Sequence, residues 1–457
     1  MRKLPIEFVG GTNRNRSKRT AETKCINLIP EVVHAGGRST SIFHGVPGTV
    51  EKYDFGSSGR GATFFENKIF CVFGEKLYSI SDALAFAPVE IGTIPNDGNH
   101  VYIGSGNGVV AVGNNTSTLY YTSGVTLNSV SAGSRKTAGG CFIDGKFVFY
   151  DPGTNRWWST ESNSSITIDA ADTTTAVSQS DNLKGTHNHD QQLLLFGEKT
   201  IEIWATASSG DPPFSKRLTI PIGTIAGLSV VSLTNGVCFV GNDRQVYQMQ
   251  GYTPINISDG IEDFLESATI SQIESAFAFT YKQAGHEYYW LTIPGHVTLC
   301  YDTATNLWHQ RATGVNELNN SATFYVNAWG RHFLGTSDGT LVEMDLNEFK
   351  ENGAVIKQVR SFRLTNEEAV PLFVNKIVII HDTGTIEDTT EPMMVLRYSK
   401  DGKMTWTEKQ PVTMGKQGDY KNMSVFHLLG QGDTFDIEIY NTNACRVSLA
   451  GAYALVN

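Results

Sequence analysis

Ile69-Phe-Cys-Val-Phe-Gly-Glu-Lys-Leu-Tyr-Ser-Ile80 is one copy of the pattern that decides the fold of this chain. An apolar strand enters a turn made by Gly or Asp, and a second strand with an aromatic or bulky residue leaves that turn. The pattern returns at Gly108–Tyr121, Lys146–Trp157, Leu193–Trp204, Val237–Tyr247, Tyr288–Tyr301 and His332–Val342. Because such hairpins cannot bury both of their faces alone, neighbouring copies are expected to stack on one another.

The turn glycines measure the length of the repeat. Gly74, Gly113, Gly153, Gly197, Gly241, Gly295 and Gly335 are separated by 39, 40, 44, 44, 54 and 40 residues. This length is typical of a four-stranded propeller blade, and radial closure removes exposed sheet edges. We therefore predict an all-β chain with a six- or seven-bladed β-propeller over residues 31–350. A set of unrelated β-sandwiches that use similar hairpins is the alternative.

The interval of 54 residues contains the helical patch of the sequence. Ser258 or Asp259 is predicted to cap a helix over Ile261–Glu266, and Ser271 to cap another over Gln272–Ala276. We expect a short helical insertion near residues 259–276, between two blades.

The strand pattern of residues 351–457 predicts a small C-terminal antiparallel β-sandwich module. Leu396–Glu408 has the pattern of a hairpin that turns at Lys400–Lys403. A polar, acidic loop is expected at His381–Glu391. Further strands are expected over Phe373–Ile380, Met423–Leu429, Thr434–Tyr440 and Arg446–Leu449.

Charge is distributed unevenly along the 457 residues, whose net charge is -10. Residues 1–24 carry a balance of +5 and the remainder carries -15. An acidic body repels phosphate, so a conventional nucleic-acid-binding protein is not expected. Residues 1–30 form a basic N-terminal arm, which is either a solvated tail or a docking arm that orders on assembly.

The chain is expected to fold in a reducing compartment and without a membrane anchor. Its six cysteines are scattered without a Cys-x-x-Cys pair, which favours buried thiols over a zinc site. Pro5 and Glu7 interrupt the start of the chain, so a secretion signal is not expected. An apolar run of about eighteen residues, as a membrane span requires, is absent from the sequence.

Two motifs are candidate sites of chemistry. Ser399–Trp406 approximates the Asp-box turn of sialidases, with Lys403 in place of the second glycine, and this motif stabilises a turn. His187 and His189 share one face if they lie on a strand, but a loop that enters the strand at Gln191 is favoured over a metal site. We predict no catalytic, cofactor-binding or metal-binding residues, and no enzymatic activity.

Many short motifs resemble, in their order, the packaged-DNA stabilisation proteins of P22-like short-tailed bacteriophages, the tail hub or tail accessory factor family. In the central third they are Leu195–Trp204, Pro213-Phe214, Phe239–Asp243, Gly251–Pro254, Tyr289–Pro294, Tyr301-Asp302 and Trp308-His309. Near the start they are Ile26-Asn27, Pro30-Glu31 and Gly45–Gly48, and at the end the Leu396–Glu408 hairpin. Lys403 and the acidic loop at Ile386–Glu391 depart from the family's pattern.

The resemblance implies a structural virion protein in the phage tail, assembled in the host cytoplasm. It implies a hub that docks below the portal and head-to-tail adaptor, closes the channel after packaging and retains the genome until ejection. The implied partners are copies of the chain in a hexameric ring, the adaptor or portal, the tail needle or plug, and tail spikes or fibres. Packaged DNA would pass through without sequence-specific readout. The alternatives are a tail-associated glycan-binding or depolymerase propeller and a scaffold propeller for protein partners.

Overall fold

The fold is taken from a computed structural model of the chain. It describes residues 2–6, 8, 10–14, 22–32, 41–82, 86–161, 166–169, 173–176, 181–207, 214–365, 371–382, 391–419 and 422–457. Residues 383–390 of the predicted acidic loop, and residues 1, 7, 9 and 15–21 of the predicted basic arm, lie outside these residues.

The strands are numbered here in chain order. Five precede the first blade: β1 (Arg2–Ile6), β2 (Cys25–Ile26), β3 (Leu28–Val32), β4 (Ser41–Gly45) and β5 (Gly48–Asp54). Blades 1 to 3 are β6 (Gly59–Phe65), β7 (Lys68–Phe73), β8 (Lys76–Ile80), β9 (Pro88–Thr93); β10 (Tyr102–Gly106), β11 (Val109–Gly113), β12 (Thr118–Thr122), β13 (Asn128–Ser131); and β14 (Ala138–Ile143), β15 (Lys146–Tyr150), β16 (Arg156–Ser159), β17 (Thr173–Thr175). Blades 4 and 5 are β18 (Leu183–His189), β19 (Gln192–Gly197), β20 (Ile201–Thr206), β21 (Phe214–Ile220); and β22 (Val231–Leu233), β23 (Gly236–Val240), β24 (Val246–Gln250), β25 (Thr253–Asn256).

The second half of the chain completes the set. Helices α1 (Glu262–Ser267) and α2 (Ile270–Glu274) precede β26 (Phe277–Gln283), β27 (His286–Ile293), β28 (Val297–Asp302) and β29 (Leu307–Gln310) of blade 6. A small hairpin, β30 (Ala312–Thr313) and β31 (Leu318–Asn319), leads to β32 (Ala322–Ala328), β33 (Arg331–Thr336) and β34 (Thr340–Asp345). Then follow β35 (Lys350–Glu351), β36 (Ala354–Val355), β37 (Gln358–Thr365), β38 (Leu372–Asp382), β39 (Met393–Ser399), β40 (Thr407–Glu408), β41 (Val412–Thr413), β42 (Asn422–Gly432), β43 (Thr434–Asn441) and β44 (Ser448–Val456).

The described part of the chain forms seven blades, which confirms the propeller and settles its blade number. Each of the seven turn glycines lies in a different blade, at or near the turn between its second and third strands. At Gly197 the side chain of Asp181 accepts hydrogen bonds from Lys199 N and Thr200 N, and a β-carbon on Gly197 would lie 2.4 Å from that carboxylate. A side chain at this turn would displace the group that holds it.

Blade 7 is closed by a strand from the start of the chain. Strand β5 pairs antiparallel with β34 as its outer neighbour, in the register Thr49↔Met344 and Asp54↔Thr340. The ends of the propeller sequence are therefore joined inside one sheet. This pairing leaves the ring without an open blade edge at the point where the chain begins.

The helical insertion is present, but its caps differ from those predicted. Helix α1 begins after Ile261 without a side-chain cap, because the hydroxyl of Ser258 instead accepts a hydrogen bond from Val246 N at 2.5 Å. Helix α2 begins one residue after Thr269, which forms a capping box with Gln272. The prediction of a Ser271 cap was wrong, because the stronger Ser/Thr-x-x-Gln signal starts two residues earlier.

The C-terminal domain is a sandwich of two sheets. One contains β3, β4, β44, β38 and β42 in that order, with β1 paired to β44, and the other contains β37, β43, β39 and β40 with β41 beside β39. Buried Ile377 and Phe426 from one sheet share a core with Phe362 and Ile437 from the other. The last strand is Ser448–Val456 rather than Arg446–Leu449.

The first residues of the chain belong to this sandwich. Arg2–Ile6 is a strand paired with Tyr453 and its neighbours rather than a free arm. The apolar residues Leu4, Ile6 and Phe8 pack on the sandwich core. This packing explains why the start of the chain is ordered, although its positive charge predicted a solvated tail or an arm that orders on assembly.

Strand β2 joins the two parts of the molecule. It pairs in parallel with β29 of blade 6 and antiparallel with β37 of the sandwich, so one ten-stranded sheet runs through both. Propeller and sandwich therefore share backbone hydrogen bonds as well as side-chain contacts. All six cysteines are buried free thiols, as the sequence predicted. None of the helices in the described ranges has the length and apolar character needed to cross a bilayer.

Candidate interaction surfaces and the seam between the two domains

The His187–Asp190 segment lies at the end of the innermost strand of blade 4, not in a loop as predicted. His187 Nε2 lies 2.7 Å from Ser232 Oγ on blade 5, and His189 Nδ1 lies 3.1 Å from the same oxygen. Burial lowers the pKa of His187 to about 4, so this imidazole is neutral at pH 7. Among the described residues no group of three metal-ligating side chains exists. The pair connects two inner strands.

Aspartates beside turns satisfy backbone and hydroxyl donors. Asp243 accepts from Gln245 N at 3.0 Å and from the Tyr247 hydroxyl at 2.6 Å. Asp302 accepts from Ala304 N at 2.9 Å and lies 2.8 Å from His286 Nδ1. These carboxylates stabilise blade turns, as Asx side chains commonly do.

The Asp-box turn of the C-terminal domain has the geometry that its sequence predicts. Asp401 accepts hydrogen bonds from Met404 N at 3.0 Å, Thr405 N at 2.9 Å and the Ser399 hydroxyl at 2.6 Å. The bonds from Ser399 and Thr405 hold the pKa of Asp401 well below its usual range. Both carboxylate oxygens accept hydrogen bonds within the turn, which gives Asp401 a structural role.

Lys403, the residue that departs from the motif, contacts the N-terminal segment. Its ammonium lies 2.6 Å from Glu22 Oε2 and donates to the Glu22 carbonyl oxygen at 3.2 Å. Only 13% of the Lys403 side chain and 16% of the Glu22 side chain are exposed, so this is a shielded ion pair. Lys403 adopts φ +73°, where glycine is favoured, and the contact explains why lysine is found there.

Buried Asn27 connects three segments at the seam between propeller and sandwich. Its amide nitrogen donates to Ala312 O at 2.8 Å and Lys357 O at 2.9 Å, and its amide oxygen accepts from Ala312 N at 3.0 Å. The backbone is left-handed at φ +53°, a conformation that Asn tolerates. One side chain thus bridges the exit of blade 6 and the start of β37.

Charged side chains continue this seam toward the surface. Lys24 lies 3.4 Å from Glu438 and 3.8 Å from Glu317, and Lys357 lies 2.8 Å from Glu317. Arg397 pairs with the same Glu438, which is buried. Burial raises the pKa of Glu317, but the hydrogen bond from Lys357 and the charges of Lys24, Lys357 and Arg397 outweigh it, so the net shift is downward. The seam is held by ion pairs that need ionised carboxylates.

The sequence profile of the family described as "Bacteriophage P22 Gp10, beta-propeller", a phage stabilisation family, matches residues 2–347. The chain belongs to that family. Its members are structural proteins of bacteriophages that stabilise packaged DNA, and they are components of the virion. The matched range begins at β1 and ends just after β34, so it includes all seven blades.

The solved structures that match this chain share little sequence with it. The N-terminal domain of Nup159 has 10% identity and a TM-score of 0.45, covering 71% of this chain and 99% of that one. BamB from Moraxella catarrhalis has 10% identity and a TM-score of 0.41, covering 75% and 100%. The WD40 propeller domain of Doa1 has 13% identity and a TM-score of 0.42, covering 66% and 97%. A search of curated protein sequences found no significant match.

The sequence did not predict that strand β5 completes blade 7, nor the contacts of Lys403 with Glu22 and of Asn27 with Ala312. A signal for β5 was present, because the last repeat supplies three strands before residue 350 and needs a fourth from elsewhere. The Lys403–Glu22 and Asn27–Ala312 contacts join residues 381 and 285 positions apart, and local patterns carry no information on such pairs. Asn27 belongs to the Ile26-Asn27 motif that resembles the family, but the bonds that define its role are visible only in the structure.

Proposed function

We propose that this chain is the tail hub of a short-tailed phage. It docks below the portal and head-to-tail adaptor, closes the tail channel after packaging and retains the genome until ejection. The observation that supports this most is the family match over the whole propeller. The polar groups of His187 and Asp401 form hydrogen bonds that stabilise a strand contact and a turn, which agrees with a structural role.

The hub acts as a closed ring of identical copies, most simply a hexamer. Closed rings require two different faces of each subunit to meet, and the sandwich attached to one edge of blade 6 gives the subunit two unlike sides. Further partners are the adaptor or portal, the tail needle or plug, and tail spikes or fibres. Electron microscopy of purified tails would count the copies, and a single copy in each tail would contradict the ring.

The net charge of -10 favours a channel wall that does not hold DNA. A wall rich in lysine and arginine would bind phosphates and slow ejection, whereas an acidic wall repels them. DNA then passes without sequence-specific readout. A ring structure with a basic channel wall would contradict this part of the proposal.

The function can be tested with phage particles that lack this chain. The expected result is normal packaging followed by loss of DNA, measured as nuclease-protected DNA per particle over time. Supplying the chain from a plasmid should restore retention. Particles that keep their DNA but fail to degrade host-surface glycan would contradict the hub and favour a depolymerase.

A further inference from the structure

A cavity of about 360 Å³ lies where the propeller meets the sandwich. Its walls come from the turn and strand at Gln283–Tyr288 of blade 6, from Leu346–Phe349 after blade 7, and from strands β3, β4 and β44. The apolar surface of the cavity comes from Ile29, Val46, Tyr288, Leu346 and Phe349. Leu346 is 51% exposed. A cavity of this size with apolar walls and a few polar groups is typical of a ligand site.

Two hydrogen-bond donors on these walls are free to meet a ligand. Arg446 lines the cavity and has no hydrogen-bond or ion-pair partner in the ranges that the structure describes. Gln358 is 7% exposed, and its amide oxygen accepts from Asn441 Nδ2 at 3.4 Å. Its amide nitrogen has no acceptor among the described residues. An amide donor and a guanidinium that line the same cavity suit a carboxylate.

The acidic groups near this cavity already take part in hydrogen bonds within the chain, although burial lowers the pKa of His44, so its contact with Glu31 is a hydrogen bond rather than an ion pair. Glu31 lies 2.9 Å from His44 Nε2, while His44 Nδ1 lies 2.9 Å from Ser448 Oγ. Asp302 is fully buried and bonded to His286, Ala304 and Thr305. These carboxylates have hydrogen-bond partners within the chain, so Arg446 is the lining charge left to meet an incoming carboxylate in the part of the chain that the structure describes.

We propose that this cavity binds the C-terminal residue of a partner polypeptide whose last side chain is large and apolar. The side chain lies against Tyr288, Leu346 and Phe349, and the terminal carboxylate accepts hydrogen bonds from Arg446 and Gln358. A C-terminal residue with a large apolar side chain carries one carboxylate, which matches a site with one free guanidinium and apolar walls. The exposed Leu346 would contact the residues of the partner that precede its C-terminal residue. The site goes beyond the hub function and does not depend on it.

The test uses the full chain and a fluorescein-labelled peptide, Gly-Ser-Gly-Ser-Leu-Phe, with either a free C-terminal carboxylate or a C-terminal amide. Fluorescence anisotropy should show the acid binding at least about ten-fold more tightly than the amide. Arg446→Gln should remove most of this difference. Arg446 is exposed, so the variant is expected to fold, which a thermal melt checks.

Lys409→Gln is the matched control. Lys409 is also a cation of the sandwich, but its ammonium donates to Leu428 O at 2.7 Å, and it does not line the cavity. This variant should leave peptide binding unchanged. Equal affinity for acid and amide, no binding, or an unaltered affinity in Arg446→Gln would overturn the proposal. So would binding of 3-phenylpropionate without binding of the peptide, which would indicate a small-molecule site.

Discussion

Asn27 shows how one side chain can hold a joint between domains. Replacing it with alanine leaves Ala312 N, Ala312 O and Lys357 O without their partners and places alanine at φ +53°. Unpaired buried groups and a left-handed alanine each cost about 1–2 kcal/mol. We expect Asn27→Ala to lower the free energy of unfolding by about 2–4 kcal/mol, measured by chemical denaturation.

Asn352 is the matched control for this prediction. It has a similar left-handed backbone, φ +47°, but it is exposed and its side chain bonds Glu51 at 3.1 Å. Asn352→Ala should cost less than about 1 kcal/mol beyond the backbone effect. Equal losses in the two variants would mean that the backbone alone, and not the bridging of segments, makes Asn27 important.

Glu351 carries a pH dependence of the opposite sign from most carboxylates. Burial raises its pKa, although bonds from Thr313 and Asn320 and the charge of Arg311 act against this. A carboxyl with a raised folded pKa contributes stability that is present below its unfolded pKa and lost as pH rises through the folded value. Glu351→Gln should therefore raise the melting temperature at pH 7, because it removes a carboxylate whose ionised form burial disfavours.

The gain should disappear near pH 4, where the carboxyl is protonated in both states. Melting curves of Glu351→Gln and the unaltered chain at the two pH values provide the measurement. Glu90→Gln, at an exposed position, should show no such gain. A stabilisation of the same size at both pH values would point to packing rather than to ionisation.

At the scale of elements, the repeat predicted the blades because the first six, and three strands of the seventh, are made from neighbouring residues. The turn glycines left six or seven blades open and the structure has seven, while the Asp401 turn follows from residues 399–405 alone. Strand β5 and Arg2–Ile6 were not placed by the pattern, because their partners β34 and β44 lie hundreds of residues away. The seam ion pairs were unpredictable for the same reason, since charge alone does not show which residues meet.

The Asp-box hairpin is expected to fix the N-terminal segment through Lys403. In Lys403→Gly the turn keeps its Asp401 bonds and loses backbone strain, but the tie to Glu22 is removed. Hydrogen exchange of the Asn13 and Thr23 amides, which bond each other's carbonyls at 2.9 and 2.8 Å, should become faster by about five-fold, equivalent to about 1 kcal/mol.

Lys409→Met offers a comparison in the same hairpin, because Lys409 bonds Leu428 O and does not contact residues 22–24. Its exchange at Asn13 and Thr23 should match that of the unaltered chain. Unchanged exchange in Lys403→Gly would show that the Asn13–Thr23 bridge and the Arg14–Asp263 ion pair, at 2.7 Å, hold the segment without help from the hairpin.

At the scale of the whole molecule, the shared sheet makes propeller and sandwich one mechanical unit. Domains joined only by a linker move and unfold separately, whereas here β2 lies hydrogen-bonded between β29 and β37. Asn27 and the Lys24 ion pairs reinforce the same joint. In the proposed hub function, pressure from packaged DNA would load this joint, and a load on one domain would be carried by the other.

This unity can be broken at a single residue. Ile26 pairs with Gln310 on one side and Val359 on the other, and proline there removes a backbone donor from the middle of a sheet. Calorimetry of the unaltered chain should show one cooperative transition. Ile26→Pro should split it into two, since each domain keeps a core of its own. Ile26→Val, which costs about 1 kcal/mol of packing but keeps the strand, should lower one transition without splitting it. Two transitions in the unaltered chain would mean that the shared strand does not couple the domains.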